Sequence, residues 1–281
     1  MNLRQHLILI AVRAFATLLV ILIVAWVVDR YVTDWWNDDY AYGYQSVNGG
    51  SCNIAVIPLQ GVIESYDPLP EEYDYVTTSG DSVVASIRAA EADENIKGIM
   101  LQIDSSGGSP AASEQIMKSM QRVSLPTLAY IRSTGVSGGY LSATGADTIV
   151  ANIYADVGSI GITASYLQQT KQDAKNGLEY VQLSSGKYKD TLKPSYAITP
   201  DQRALAQRDI DLLAQVVISE VAQNRHMATS AVETLADGSS MAPSLALKNG
   251  LIDQIGDEET ARAWFAEKIG EDATLCAPPT L

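Results

Sequence analysis

Gly135-Val136-Ser137-Gly138-Gly139-Tyr140 is the stretch on which the reading of this chain turns. It follows an apolar, β-like run at 127–131 and precedes a small-residue, helix-compatible run at 141–146. Glycines on both sides of a serine let the backbone turn sharply and let another molecule reach the hydroxyl unobstructed. A serine at a strand-to-helix turn has the layout of a nucleophile, with the helix amino-terminus placed to stabilise negative charge beside it. Taken alone, the string reads equally as a glycine-rich turn with an incidental serine, so its neighbours decide.

Short apolar strands at 53–59, 98–104 and 147–151 alternate with amphipathic helices at 81–92 and 110–122. That alternation predicts an α/β domain with largely parallel pairing. Ser109 and Pro110 suit the N-cap and first position of the second helix, which leaves Gly107 and Gly108 just ahead of a helix amino-terminus, a place that suits an oxyanion. Further on come a loop with Gly158, Ser159 and Gly161, a helix at 167–175, a strand at 179–183 and a Lys-x-Lys loop holding Lys187 and Lys189. Thr199 with Gln202 forms a capping box that opens a long helix running toward His226. A second capping box is read at Ser230 and Glu233. A final amphipathic helix holds Ala261, Trp264, Phe265 and Ile269, ahead of an irregular tail at 274–281.

Composition narrows the function. The 281 residues carry 33 acidic and 19 basic side chains, a net charge of −14. That balance argues against nucleic acid, whose phosphates need a basic face. The 2 cysteines, Cys52 and Cys276, match no metal or redox spacing, so neither metal nor cofactor is expected. They fit one disulfide in an oxidising compartment or two free thiols, and the sequence does not choose. The 2 histidines, His6 and His226, leave a Ser-His-Asp triad one badly placed candidate base. A nominal Gly-x-Ser-x-Gly match invites an α/β-hydrolase reading with His226 as base. That fold wants its histidine on a loop after a late strand, not at the end of a long helix.

Residues 7–28 are almost wholly apolar, long enough to cross a bilayer, with Arg13 as the single charge. The flank at 26–31 lacks a small-x-small cleavage pattern, which favours an uncleaved anchor over a signal peptide. Trp26, Tyr31, Trp35 and Trp36 read as an interfacial belt. Arg4 and Arg13 precede an acidic cluster at Asp29, Asp34, Asp38 and Asp39. The positive-inside bias then predicts a cytoplasmic tip at 1–6, a transmembrane helix at 7–28 and a domain on the extracytoplasmic side. A stalk at 29–51 leads to the folded domain at 52–273.

The ordered set of motifs resembles the signal peptide peptidase A family, peptidase family S49, in its short single-repeat form. The resemblance covers roughly residues 53–258. Ser106-Gly107-Gly108-Ser109-Pro110 stands where the family has a Ser-Pro-Gly-Gly loop, with serine in place of the usual proline. Val136-Ser137-Gly138-Gly139-Tyr140 is similar to its Ala-Ser-Gly-Gly-Tyr motif, and Gly158-Ser159-Ile160-Gly161 to its Gly-Ser-Ile/Leu-Gly segment. Ser185-Gly186-Lys187-Tyr188-Lys189-Asp190 matches a Ser-Gly-x-x-Lys-Asp loop, and the stretch 246–253 a closing Ala-x-x-x-Gly-Leu-Val-Asp.

The resemblance implies a crotonase-like (Clp-protease-like) fold and a bacterial inner-membrane serine protease with its catalytic domain on the periplasmic side. Ser137 would be the nucleophile and Lys189 the base. Ser159 would orient the lysine, and backbone N–H groups of Gly108 (or Gly107) and Gly138 would form the oxyanion hole. Peptide remnants of signal sequences are the implied substrates, the lipid bilayer and a homo-oligomeric ring the implied partners. Chemistry agrees with the lysine: a serine hydroxyl needs a nearby base, and no histidine is usable. To act near pH 8 that lysine must lose roughly 2 to 3 pKa units from about 10.4, against about 3 to 4 kcal/mol favouring the ammonium. Asp190 is therefore expected to point away from it. The competing readings are an inactive anchored scaffold and, on fold alone, an acyl-CoA enzyme.

Overall fold

A computed structural model describes residue 13 and residues 15–26, 52–66 and 76–276. The predicted tip at 1–6, the stalk at 29–51 up to Ser51 and the ends of the 7–28 span lie outside them. Residues 15–26 are helical, and among the described residues no helix is long and apolar enough to cross a membrane. The chain divides into two units, Met1–Ala41 and Tyr42–Leu281, and the second contains everything discussed below.

That unit is a mixed α/β fold around a mostly parallel sheet. Its strands are β1 (Ile54–Glu64), β2 (Thr77–Ser79), β3 (Gly98–Gly108), β4 (Thr127–Val136), β5 (Thr148–Ala151), β6 (Asp156–Gly158), β7 (Ser240–Met241) and β8 (Gln254–Ile255). They run in the order β2-β1-β3-β4-β5-β8, all parallel, with β6 added along the end of β4 and β7 antiparallel to β6. The helices are α1 (Gly80–Ala92), α2 (Pro110–Arg122), α3 (Gly138–Ala143), α4 (Thr170–Lys175), α5 (Pro200–Asn224), α6 (Thr229–Leu235), α7 (Pro243–Lys248) and α8 (Glu258–Ile269).

The strands read as unbroken apolar runs because both faces of the sheet are buried. Ala55, Ile57, Ile99, Leu101, Ala129, Ile131 and Ile149 face one core. Their immediate neighbours Ile54, Val56, Met100, Leu128, Tyr130 and Val150 face the other, which α8 covers with Ala261 and Phe265. The period of two is the pleat itself. Gly98 is needed there, since a methyl on it would stand 2.7 Å from the Phe265 ring.

The predicted caps hold at α2, where Ser109 accepts from Ala112 N, and at α5, where Thr199 and Gln202 make a reciprocal box. Two sequence readings are corrected. No strand forms at 179–183: these residues are exposed and pair with no strand of the sheet. Ser230 is not a cap either, because α6 starts at Thr229 with Ala228 at its N-cap and no side-chain cap bond, which puts Ser230 inside the helix.

The ends of the unit meet. Asn53 N and Ile54 N donate to Thr274 O, Cys276 N donates to Ile54 O, and Leu275 bridges Ile54 in parallel. A disulfide joins Cys52 to Cys276 across 224 residues of sequence, both side chains buried.

Candidate active site

Two loops at the carboxyl ends of adjacent parallel strands create the site, the usual place for ligands in such sheets. β3 ends in Gly107-Gly108 and β4 ends one residue before Ser137. β6 pairs with the last residues of β4, Val136 opposite Gly158, so Ser137 N donates to Gly158 O at 2.8 Å. Ser159 is thereby placed in the loop bordering Ser137.

Ser137 stands at the N-cap of α3 with φ 52 and ψ −125, in a region a residue with a Cβ rarely adopts. Such a backbone costs of order 1–3 kcal/mol and persists where surrounding structure imposes it. Its hydroxyl makes no capping bond, so it is not spent on the helix. Gly138, the first residue of α3, has an N–H without an intrahelical partner. Ser113 closes the space behind it: a methyl on Gly138 would come within 2.3 Å of Ser113 Oγ.

The glycine pair is resolved by its bonds. Gly107 N donates to Ser105 Oγ at 3.0 Å, and Ser105 Oγ donates onward to Gly61 O at 2.7 Å. Ser109 N donates to Ile63 O on β1. Because Ser109 N bonds Ile63 O opposite Gly108, the intervening Gly108 N–H faces away from β1. A methyl on Gly138 would lie 3.3 Å from Gly108 N, which measures how near the two residues are. Gly108 and Gly138 thus lie close together beside Ser137, while the Gly107 N–H is already engaged.

A cavity of about 90 Å³ opens beside them, lined by Gly108, Pro110, Ser137, Gly138, Leu141, Gly161, Ile162, Thr163 and Val217. Its apolar walls went unmarked in the sequence. Leu141 and Val217 carry the same helical periodicity as core residues, and only the fold separates a wall from a core position.

The remaining candidates are placed as follows. Ser159 has φ 49 and its hydroxyl donates to Gly238 O at 2.8 Å, leaving its lone pairs to accept. Lys189 does not line the cavity. It sits exposed in a turn, its N–H donating to Gly186 O at 3.1 Å, and Ser159 takes no bond from it within the chain. Lys187 is committed elsewhere, paired with Asp201 and lying 4.9 Å from the centre of the Tyr188 ring. The Asp190 carboxylate accepts from Tyr180 OH at 3.1 Å. His226 is exposed just beyond α5 and absent from the cavity. Among the described residues no cluster of His, Cys, Asp and Glu could hold a metal.

The closing motif buttresses α3, the helix that Ser137 opens. Tyr140, fully buried, donates its hydroxyl to Leu251 O at 2.8 Å, and burial pushes its pKa well above the usual phenol value. Arg225 donates to Gly250 O and to both carboxylate oxygens of Asp253, and Asp253 also accepts from Ile149 N.

A parallel-sheet α/β domain with an uncapped serine at a strained strand-to-helix turn, flanked by free backbone N–H groups, has the layout of a serine hydrolase. Comparison with known proteins narrows the class. The sequence model of peptidase family S49 matches residues 120–271. A protein of Enterococcus faecium named "Putative signal peptide peptidase SppA" is 30% identical over 241 residues, 82% of this chain and 69% of that protein. "Protease 4" of Haemophilus influenzae is 29% identical over 206 residues, 72% of this chain but 32% of that longer relative. The solved structure of a mutant membrane-bound stomatin-specific protease is similar at a TM-score of 0.48, with 19% identity over 75% of this chain and 84% of that one. The chain belongs to peptidase family S49, and its class is that of a serine peptidase, a hydrolase.

Proposed function

We propose that the chain is a membrane-anchored serine endopeptidase of crotonase-like fold, acting on short hydrophobic peptides such as cleaved signal peptides on the extracytoplasmic face of a bacterial inner membrane. The observation that carries this reading is the uncapped hydroxyl of Ser137, held at φ 52 at the start of α3 on a cavity that Gly108 and Gly138 also line. Ser137 Oγ attacks a peptide carbonyl carbon and passes its proton to a neutral Lys189. The resulting oxyanion accepts from Gly108 and Gly138. As the C–N bond breaks, the lysine returns that proton to the departing amine. Water then attacks the acyl-serine ester by the same route, releasing the carboxylic acid and restoring Ser137.

Because Lys189 does not reach the cavity of its own chain, we assign the base to a neighbouring copy in a homo-oligomeric ring. Ser159 would receive the incoming ammonium on its free lone pairs. Exposed apolar side chains on α5, Leu212, Leu213 and Val216, suit such contacts.

The test is peptidase activity of the full chain on hydrophobic fluorogenic peptides, with Ser137→Ala and Lys189→Ala beside it. Both variants should be folded, assembled and inactive. A Lys189→Ala variant that keeps its activity contradicts the assigned base. Wild-type protein inert toward every peptide would point to an inactive scaffold instead.

A further inference from the structure

We infer that the cavity beside Ser137 is a side-chain pocket that selects peptides with a small aliphatic residue, alanine or valine, on the acyl side of the cleaved bond. Val217 sets the limit of size. The inference rests on the peptidase reading above and adds which substrates that site takes.

The cavity shares its lining with the reacting groups. Ser137, Gly108 and Gly138 form its rim, so a carbonyl carbon within reach of Ser137 Oγ has its own side chain at the mouth. The walls behind are Leu141 from α3, Val217 from α5, Ile162 and Pro110. None of the lining residues is charged, and the one lining hydroxyl other than that of Ser137 belongs to Thr163. A charged side chain entering there would lose its hydration without gaining a partner, which excludes Lys, Arg, Asp and Glu.

Volume decides among the apolar residues. An apolar cavity of about 150 Å³ takes up benzene. This one measures about 90 Å³, too small for a phenyl ring but sufficient for a methyl or isopropyl group.

Leu141 is 3% exposed and built into the core, so it is a fixed floor. Val217 differs. It is half-buried on α5, packed against the core while facing the cavity. A hydrophobic pocket discriminates by about 10- to 200-fold for each methylene-scale misfit. Val217 is therefore the residue through which preference can be reset.

The experiment compares kcat/KM of the full-length protein on otherwise identical fluorogenic peptides carrying Ala, Val, Leu, Phe or Lys on the acyl side of the scissile bond. Wild type should favour Ala and Val over Phe and Lys by at least ~10-fold. Val217→Ala should raise the Phe-to-Ala ratio by ~10-fold or more, and Val217→Phe should lower the Val-to-Ala ratio by a similar factor. A wild type that cleaves Phe as well as Ala, with Ser137→Ala inactive, overturns the pocket while leaving the peptidase reading intact. Unchanged ratios in both Val217 variants overturn the role of Val217. No cleavage of any peptide, together with no labelling by a serine-directed fluorophosphonate, overturns both the pocket and the peptidase reading.

Discussion

The α-carbon of Gly107 lies against the first peptide of α3: a methyl built on it would stand 2.6 Å from Gly138 N and 2.9 Å from Ser137 Cβ. Gly107 also has φ +92. Any side chain there meets immovable backbone and forces a backbone conformation that only glycine tolerates easily. Gly107→Ala should displace the very N–H that flanks the serine. Loss of one oxyanion donor typically lowers kcat by about 10²–10³-fold, and that range is expected here. Gly177→Ala is the control, because Gly177 has φ +73 but nothing within 4 Å of its would-be methyl. It should lower stability by roughly 1 kcal/mol and leave kcat unchanged.

The Cys52–Cys276 bond closes nearly the whole described unit and clamps the 274–276 segment along the start of β1. Removing a native disulfide typically costs about 2–5 kcal/mol. Cys52→Ser with Cys276→Ser should therefore lower the melting temperature clearly, and dithiothreitol should do the same to wild type. An unchanged Tm after both treatments would show that the backbone pairing of Ile54 with Thr274 and Cys276 suffices alone.

Much of this architecture is legible in the sequence, for a physical reason. Strands buried on both faces must be apolar at every position, so β1, β3, β4 and β5 stand out, and capping residues mark α2 and α5. Ser137 is visible because glycines crowd it. Residues 179–183 mislead because Tyr180, Val181 and Leu183 suit a strand, whereas a strand also requires a partner to pair with. The Ser230–Glu233 spacing misleads similarly, since a capping box needs its first residue outside the helix. Which of Gly107 and Gly108 keeps a free N–H depends on Ser105 Oγ reaching back across one residue, a contact no spacing rule foretells. The short β6–β7 pairing, and the cavity walls from α3 and α5, arise from contacts remote in sequence.

Asp201 tethers the turn that carries Lys189. Its carboxyl is held below the usual carboxylate range, first by the hydrogen bond from Lys187 and then by that from the Thr199 hydroxyl. Lys187 is raised in turn, chiefly by the same bond. A depressed carboxyl contributes stability above its unfolded pKa, about 3.9, and loses it as pH falls through the folded value. A raised lysine contributes below its unfolded pKa, about 10.4, and loses it as pH rises through the folded value. The tether should thus be intact between about pH 4 and 10. Protection of amides over residues 185–199, taken relative to the intrinsic exchange rate at each pH, should be high in that window and lower in acid. Asp201→Asn should lower it at neutral pH without changing exchange in the sheet. Equal exchange in wild type and variant would refute the tether.

A base supplied by a neighbouring copy makes complementation measurable. Ser137→Ala and Lys189→Ala, each inactive alone, should regain part of wild-type activity when denatured together and refolded as a mixture, because some interfaces will pair an intact serine with an intact lysine. If every mixture stays inactive while wild type recovers under the same treatment, the dyad is confined to one chain or Lys189 is not the base.

The most direct test of the central claim locates the nucleophile. Full-length protein is treated with a fluorophosphonate and the adduct mapped by peptide mass spectrometry, with Ser137→Ala alongside. A single adduct on Ser137, lost in the variant and accompanied by loss of peptidase activity, is the result expected of a hydroxyl left uncapped between Gly108 and Gly138. An adduct on another serine with equal loss of activity, or full activity in Ser137→Ala, would contradict it.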